Sequence, residues 1–536
     1  MGKTKRKRPR DDNVCPHSFK NIELMEEGND IISSLPENVL HHILSFLSTK
    51  DAIRTSILST KWEYLWTSIA NIDLKETYHQ AGKKEDGSFL EFVDRVLIFH
   101  DASGIKSLSL ESHELVNSSR VNSWISASIR HNIKELKLCL HWKTQPVLPC
   151  RLFTCQSLVV LKLSMDWALE VPSLTRFLNL KTLELKYVTF SDDNSTQHLF
   201  SSCPMLQELA LVYCGWKNLK TITICIPTLK RLTIDNQQGP GDVLSCVTKI
   251  YAANLIHLHC ISCQIIDFCL YDLSSLVDAS ICLYEEPEEV VTPRVLRLLT
   301  GIFNVKKLTI TIVMLEFLNR VENLLDSLPT FYNMTHLVLR SEFFGHSFVL
   351  MDLLKKSPKL ENLKFEQGFD SCDEDDWKFG RVPSCFASSL KTVHIARFDE
   401  KPVEMRFIRF LLKKARVLKS LIVRLRKYSE DVKLWLQKSQ LPAFVSTDPR
   451  TDTGIPSAHL LWHPEHRLTS LFAAATTGVV SDPSARSRTS FGNDAGDFPH
   501  LLWRSKPAIF QCQICESWSF NSAHKPLIQL QLLSLA

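Results

Sequence analysis

Ile133-Lys134-Glu135-Leu136-Lys137-Leu138, Leu158-Val159-Val160-Leu161-Lys162-Leu163 and Leu180-Lys181-Thr182-Leu183-Glu184-Leu185 share one pattern: aliphatic residues stand first, fourth and sixth. The fourth and sixth positions lie two apart, so in an extended chain they point to one face while their neighbours point to the other. The same spacing starts at Ile105, Leu206, Leu229, Val305, Met334, Leu360, Leu390 and Leu418, with weaker copies at Leu255 and Leu276. The thirteen starts stand 21 to 30 residues apart, with a mean of about 26. A unit of that size cannot bury its own apolar face and must stack on its neighbours. An α/β domain with parallel strands also alternates strand and helix, but near-equal intervals favour a repeat array.

A period of 20–29 residues with this spacing is that of a leucine-rich repeat. The segments between motifs return by a helix or an irregular arc. Helical linkers are expected at residues 120–131, 195–202, 294–300 and 348–356. The positions after the first leucine include Lys181, Lys230, Arg231 and Lys306. They are expected to give the concave face positive potential and to form the target-binding surface for an acidic or phosphorylated protein segment.

Outward from the repeats the composition is ordinary: 44% hydrophobic and 23% charged, with a formal net charge of +5. Lys3, Lys5, Arg6, Lys7, Arg8 and Arg10 supply +6 within the first ten residues, which leaves −1 for the rest. A folded part so close to neutral does not suggest a nucleic-acid groove. The basic run itself reads as a nuclear localisation signal on a disordered arm, residues 1–29. No apolar run reaches the ~18 residues a membrane span needs, and no apolar stretch of secretory type follows the basic residues. The 16 cysteines are therefore assigned to a reducing compartment. Cys139, Cys203, Cys214, Cys225 and Cys282 sit in apolar stretches and read as small buried hydrophobes.

Between the arm and the repeats, residues 30–76 predict three short helices. Ser34 with Glu37 can form a capping box for the first. Its apolar residues Leu35, Val39, Leu40, Ile43, Leu44 and Leu47 follow helical spacing. Ser48 or Thr49 opens the second, and Ser59 or Thr60 with Glu63 opens the third, which carries Trp62, Leu65, Trp66 and Ile69. A unit this small with surplus apolar residues wants a partner. The run Leu35-Pro36, Ile43 to Leu47, Asp51-Ala52, Arg54 to Ser56, Leu58-Ser59, Trp62 and Leu65-Trp66 resembles the F-box of plant F-box proteins; Val39 stands where leucine is commoner. The resemblance implies docking on a Skp-type adaptor and through it on a cullin. Leu35, Pro36, Ile43, Leu44, Leu47, Trp62 and Trp66 are the adaptor-binding residues it suggests.

After the repeats, Trp377, Val382-Pro383, Ser388 to Val393, Glu404-Met405, Phe410 to Leu412 and Ala415 to Lys419 resemble the FBD domain. A strand at 390–395, a helix at about 402–415 and a strand at 418–425 are expected, a unit that could shield the end of the solenoid. The fold class is α/β: a three-helix F-box (30–76), an irregular leucine-rich-repeat horseshoe (77–376), an FBD unit (377–440) and a tail (441–536) to which the sequence assigns no fold. The tail repeats the tetrapeptide His-Leu-Leu-Trp at 459–462 and 500–503. Cys512, Cys515 and His524 offer three zinc-like ligands where a closed site needs four. Asp373 to Asp376 reads as a solvated acidic loop, and Cys260 with Cys263 as part of a repeat.

The resemblance, to the plant F-box/LRR/FBD class, implies the substrate-recognition subunit of an SCF-type (Skp-cullin-F-box) E3 ubiquitin ligase. It implies no catalytic residue, no metal and no cofactor of its own. The expected partners are the adaptor, the cullin and an unknown protein substrate, with no membrane and no nucleic acid. A scaffold that never ubiquitinates, and a small-molecule-dependent receptor on the repeat surface, are the alternatives.

Overall fold

A computed structural model describes residues 32–76, 88–100, 104–236, 246–262, 267–283, 292–311, 314, 327–340, 347–367, 381–398, 402–425, 444–448 and 457–462. The chain divides into two compact units, Met1–Phe472 and Ala473–Ala536; all described residues belong to the first.

Each of the thirteen motifs becomes a strand that starts two residues after its first aliphatic residue. The strands run from Ser107–Val116 and Glu135–Trp142, through Thr182–Lys186, Glu208–Val212 and Arg231–Asn236, to Thr392–Phe398 and Ser420–Leu425. They pair in parallel, repeat beside repeat, in a sheet of 16 strands among the described residues. The fourth motif position stays in register throughout. Leu108 faces Leu136, then Leu161, Leu183, Leu209 and Leu232 follow. The column continues through Leu258, Ala279, Leu308, Leu337, Leu363, Val393 and Leu421. All of these are buried, as are the first-position residues from Ile105 to Leu418. The two weak motifs thus obey the same register. Burial of each leucine contributes roughly 1.5–3 kcal/mol before its entropy cost.

Every expected linker helix is present: Ser118–Arg130, Asp193–Ser201, Thr292–Gly301 and Ser347–Lys355. One feature escaped the sequence. Thr221–Cys225, Val247–Tyr251 and Asp267–Tyr271 form a second, three-stranded parallel sheet. Its segments alternate β-branched or aromatic residues with polar ones and are too short for a helix. Its edges are covered. Asp193 accepts hydrogen bonds from the Lys220 and Thr221 amides (2.9 and 3.3 Å), and Gln197 accepts one from the Thr223 amide (3.2 Å). These side chains satisfy donors that an edge strand would otherwise expose. At the other edge, Leu270 lies under Gly301, where an added Cβ would come within 2.9 Å of it.

At the N-terminal end, Asn71–Lys75 forms an extra strand beside Ser107–Glu111. It belongs to the solenoid sheet, although it falls inside the segment read as F-box. The helix Ser88–Phe99 buries Leu90, Val93 and Val96 behind it. At the other end the FBD segment supplies a strand, the helix Pro402–Lys414 and the strand Ser420–Leu425, close to the expected bounds. Two strands of the tail follow. Ser457–Trp462, which holds the first His-Leu-Leu-Trp, pairs antiparallel with Leu421–Arg424, and Phe444–Asp448 pairs with it in turn. The second copy, the zinc-like cluster, the acidic run 373–376 and the basic arm lie outside the described residues.

The eleven described cysteines are free. Cys203, Cys214 and Cys282 are buried as expected, and burial pushes the Cys203 and Cys214 thiols up to about 12. Cys139 and Cys225 are exposed. They end on outward-facing strand positions, which local hydrophobicity does not reveal.

Leu183→Ala should lower the unfolding free energy by about 2–4 kcal/mol, because Leu183 is buried between Leu161 and Leu209. Thr182→Ala, one residue away and facing outward, should change it by less than about 1 kcal/mol. Urea denaturation followed by circular dichroism distinguishes the two.

Candidate adaptor and target surfaces

The N-terminal unit is built from the helices Glu37–Ser45 and Thr49–Arg54. The first has its N-cap position at Pro36, two residues after Ser34, and Pro36 offers it no side-chain cap. The second is capped as expected: Ser48 Oγ accepts the Asp51 amide at 3.2 Å. The third expected helix is a set of turns ending in a 3₁₀ turn, Leu65–Ser68. Side-chain bonds take over what helix geometry would have done. Lys61 Nζ donates to the Ser33 and Leu35 carbonyls (2.6 and 2.7 Å), and Trp62 Nε1 donates to Ser33 Oγ (3.0 Å). The first and third segments are thereby stitched together.

This geometry sorts the seven adaptor-binding residues inferred from sequence. Leu44 and Trp62 are 0% and 2% exposed and form the unit's own core with Leu40, Ala52 and Leu65. Leu35 and Ile43 are half-buried against that core. Pro36 and Leu47 are exposed. Trp66 packs against both the F-box core and the solenoid core. Besides Leu47, the large apolar residues that face outward are Ile32, Val39, Phe46, Ile57, Leu58 and Tyr64, with Phe46 at 77% and Ile57 at 88%. None of these was among the adaptor-binding residues inferred from sequence, although helical spacing had included Val39. The available signal was an apolar residue standing off the apolar stripe, as Phe46 does.

The unit is held on the solenoid by more than Trp66. Thr49 is buried, and its Oγ1 accepts the Asp73 amide of the first solenoid strand at 2.9 Å. His100 Nε2 donates to the Ile69 carbonyl at 2.7 Å. Ile53 packs against the solenoid core.

On the solenoid, the outward positions of the thirteen repeat strands carry lysines and arginines together with nearly as many carboxylates. Nearly all of these cations are paired, some with a carboxylate on the neighbouring strand and some with one two residues along their own. Glu184 sits between Lys162 (2.6 Å) and Lys186 (2.9 Å). Lys137 meets Glu135 (3.5 Å), Lys307 meets Asp278 (3.0 Å), and Glu366 holds Arg340 (3.2 Å) and Lys364 (3.0 Å). Arg231, one of the four target-binding residues inferred from sequence, pairs with Glu208. The floor of the sheet is therefore close to neutral, contrary to the expected positive concave face. Lys181, Lys230 and Lys306 are exposed, but they stand one residue before their strands, on the rim. Burial opposes ionisation of Glu184, yet hydrogen bonds from Lys162 and Lys186 hold its carboxyl below the ordinary glutamate range.

An apolar helical knob fixed to a leucine-rich-repeat solenoid defines an F-box/LRR architecture, and the comparisons with known proteins agree. The F-box domain family matches residues 32–72, the FBD family residues 380–423, and the LRR repeats of FBD-associated F-box protein At5g56370 residues 121–266. The chain is 34% identical to the F-box/LRR-repeat protein At4g14096 of Arabidopsis thaliana over 392 residues, 69% of this chain and 82% of that protein. It is 31% identical to the F-box/LRR-repeat protein At3g59200 of the same plant, over 74% of this chain and 82% of that one. The putative F-box protein At1g58310 matches at 29% over 485 residues, 78% of this chain and 94% of that protein. The chain belongs to the plant F-box/LRR/FBD family. The F-box implies binding to a Skp-type adaptor, and none of the matched families is enzymatic.

Three outcomes follow from the geometry. Phe46→Ser combined with Leu58→Ser should weaken adaptor binding at least tenfold by calorimetry with little change in melting temperature. Trp62→Ala should lower the melting temperature, since it opens a cavity in a small core. Glu184→Gln should cost up to about 1 kcal/mol at neutral pH. A carboxyl held low in the folded state stabilises above its unfolded pKa, and that stability is lost as pH falls through the folded one. The difference between Glu184→Gln and the parent should therefore shrink in denaturation series taken below about pH 4.

Proposed function

We propose that this protein is the substrate-recognition subunit of an SCF-type E3 ubiquitin ligase. The observation that carries the reading is the exposed apolar surface of the F-box unit, bonded to a long solenoid that is free to hold something else. The F-box docks on the Skp-type adaptor and, through it, on the cullin. The solenoid holds a target near a ubiquitin-charged conjugating enzyme. Raising the local concentration of the target directs transfer, so the chain needs to supply no catalytic residue. The basic run from Lys3 to Arg10 would act as a nuclear localisation signal and place the complex in the nucleus.

Reconstitution with adaptor and cullin tests the reading. The full chain should co-purify with both and should support ubiquitin transfer to proteins it captures, and Phe46→Ser with Leu58→Ser should abolish both properties. Capture of the adaptor without the cullin would instead make the protein a non-ubiquitinating scaffold. A fluorescent fusion should be enriched in the nucleus and should shift toward the cytoplasm when residues 1–10 are removed; an unchanged distribution would remove the nuclear assignment.

A further inference from the structure

The charge missing from the floor of the sheet is found on its leading rim. At the second motif position, just before each strand, stand Lys106, Lys134, Lys181, Lys230, Lys306 and Lys419, all exposed. The backbone fixes that position. Each of these residues up to Lys306 offers its carbonyl to two amides of the next repeat, as Lys134 does to Val159 and Val160 (2.8 and 3.0 Å) and Lys230 does to Ile256 and His257 (2.9 and 3.0 Å). The side chains are thereby aligned along one edge. Among the described residues, no carboxylate pairs with these six amines, whereas Lys391, at the same motif position, pairs with Glu361 at 2.7 Å. The cations on the floor are, with few exceptions, paired. The rim is thus a row of unneutralised positive charge beside a neutral sheet.

The row is not continuous. The lysine position holds Val159 and Gln207 in the third and fifth repeats, Ile256, Val277 and Thr335 in the seventh, eighth and tenth, and Glu361, the partner of Lys391, in the eleventh. Exposed aromatic residues stand shortly before the strands of the seventh to tenth repeats: Tyr251 and Tyr271, which end strands of the second sheet, and Phe303 and Tyr332 in turns. Tyr251 and Tyr271 stack with ring centroids 4.4 Å apart. Four of the six lysines lie on the F-box side of this aromatic stretch.

We infer that the leading rim is the target-docking surface, and that its occupant is an acidic polypeptide segment whose apolar residue anchors on the Tyr251–Tyr332 stretch. The inference rests on the substrate-receptor reading and gives its target a chemistry. Lysines supply steering and register for glutamates and aspartates, and the exposed rings supply anchoring energy. Strands stand ~4.8 Å apart, so twelve steps of the sheet span roughly 60 Å, the length of about 17 extended residues. A nucleic acid fits less well. The stretch holding Ile256, Val277 and Thr335 breaks the run of cations that phosphates require.

The test uses the full chain co-purified with its adaptor. The probe is a fluorescein-labelled, glutamate-rich peptide of about 18 residues with two central phenylalanines. Its controls are the same peptide with glutamine for glutamate and a single-stranded oligonucleotide of equal charge. Anisotropy should show the acidic peptide bound at least tenfold more tightly than either control, and more weakly as salt rises. Lys134→Glu, Lys181→Glu and Lys230→Glu together should weaken it at least tenfold. So should Tyr251→Ala with Phe303→Ala and Tyr332→Ala. Lys→Ser at the same three lysines gives a milder variant should the reversal disturb folding, and melting curves monitor both. Affinity within twofold of the parent after the lysine changes, equal binding of the glutamine peptide, or tighter binding of the oligonucleotide overturns the inference. Adaptor retention is read in the same samples, so loss of the adaptor counts against the receptor reading and leaves the rim measurement to be judged alone.

Discussion

The structure depends on the in-register stacking of two buried aliphatic columns, at the fourth and sixth motif positions, along a parallel sheet. Leu183 has no partner within its own repeat; it is buried by Leu161 and Leu209 in the neighbouring ones. Stability therefore resides in interfaces between repeats and accumulates along the array. The same dependence makes the ends costly. At one end Asn71–Lys75 and the helix Ser88–Phe99 cover the first repeat, and at the other the FBD strands and the antiparallel Ser457–Trp462 continue the sheet.

The F-box unit meets the same constraint in another form. Its core holds few residues, among them Leu40, Leu44, Trp62 and Leu65, and so small a unit has little surface to bury alone. Trp66 and Ile53 solve part of this by packing on the solenoid, while Thr49 and His100 bond across the junction. What stays outside, Phe46, Ile57 and Leu58 above all, is surface left for a second protein. A single short segment thus divides its apolar residues among three tasks: its own core, the junction and a partner.

Charge is divided with similar economy. Lysines on the strands meet carboxylates on the neighbouring strand or two residues along their own, and are neutralised, which keeps the floor of the sheet electrically quiet. Lysines one residue earlier meet no carboxylate among the described residues except at Lys391, where Glu361 stands at the same position of the neighbouring repeat. A shift of one residue along the chain therefore separates a structural cation from an available one, because side chains in a strand alternate between faces and the rim residue precedes that alternation.

The sequence by itself determined the repeat count, the strand starts, the linker helices and the F-box and FBD segments. Each of these is written in spacing, at two residues for strands, 3.6 for helices and about 26 for the array. It also marked Lys181, Lys230 and Lys306 as a row. Only the tertiary structure decided where that row lies, that Arg231 is neutralised by Glu208, that Trp62 is core and Trp66 is junction, and that three linkers form a second sheet. Those outcomes turn on which side chain stands across from which in a neighbouring repeat 21 to 30 residues away. Periodicity records the face a residue turns to, whereas its partner on that face is set by the register between strands.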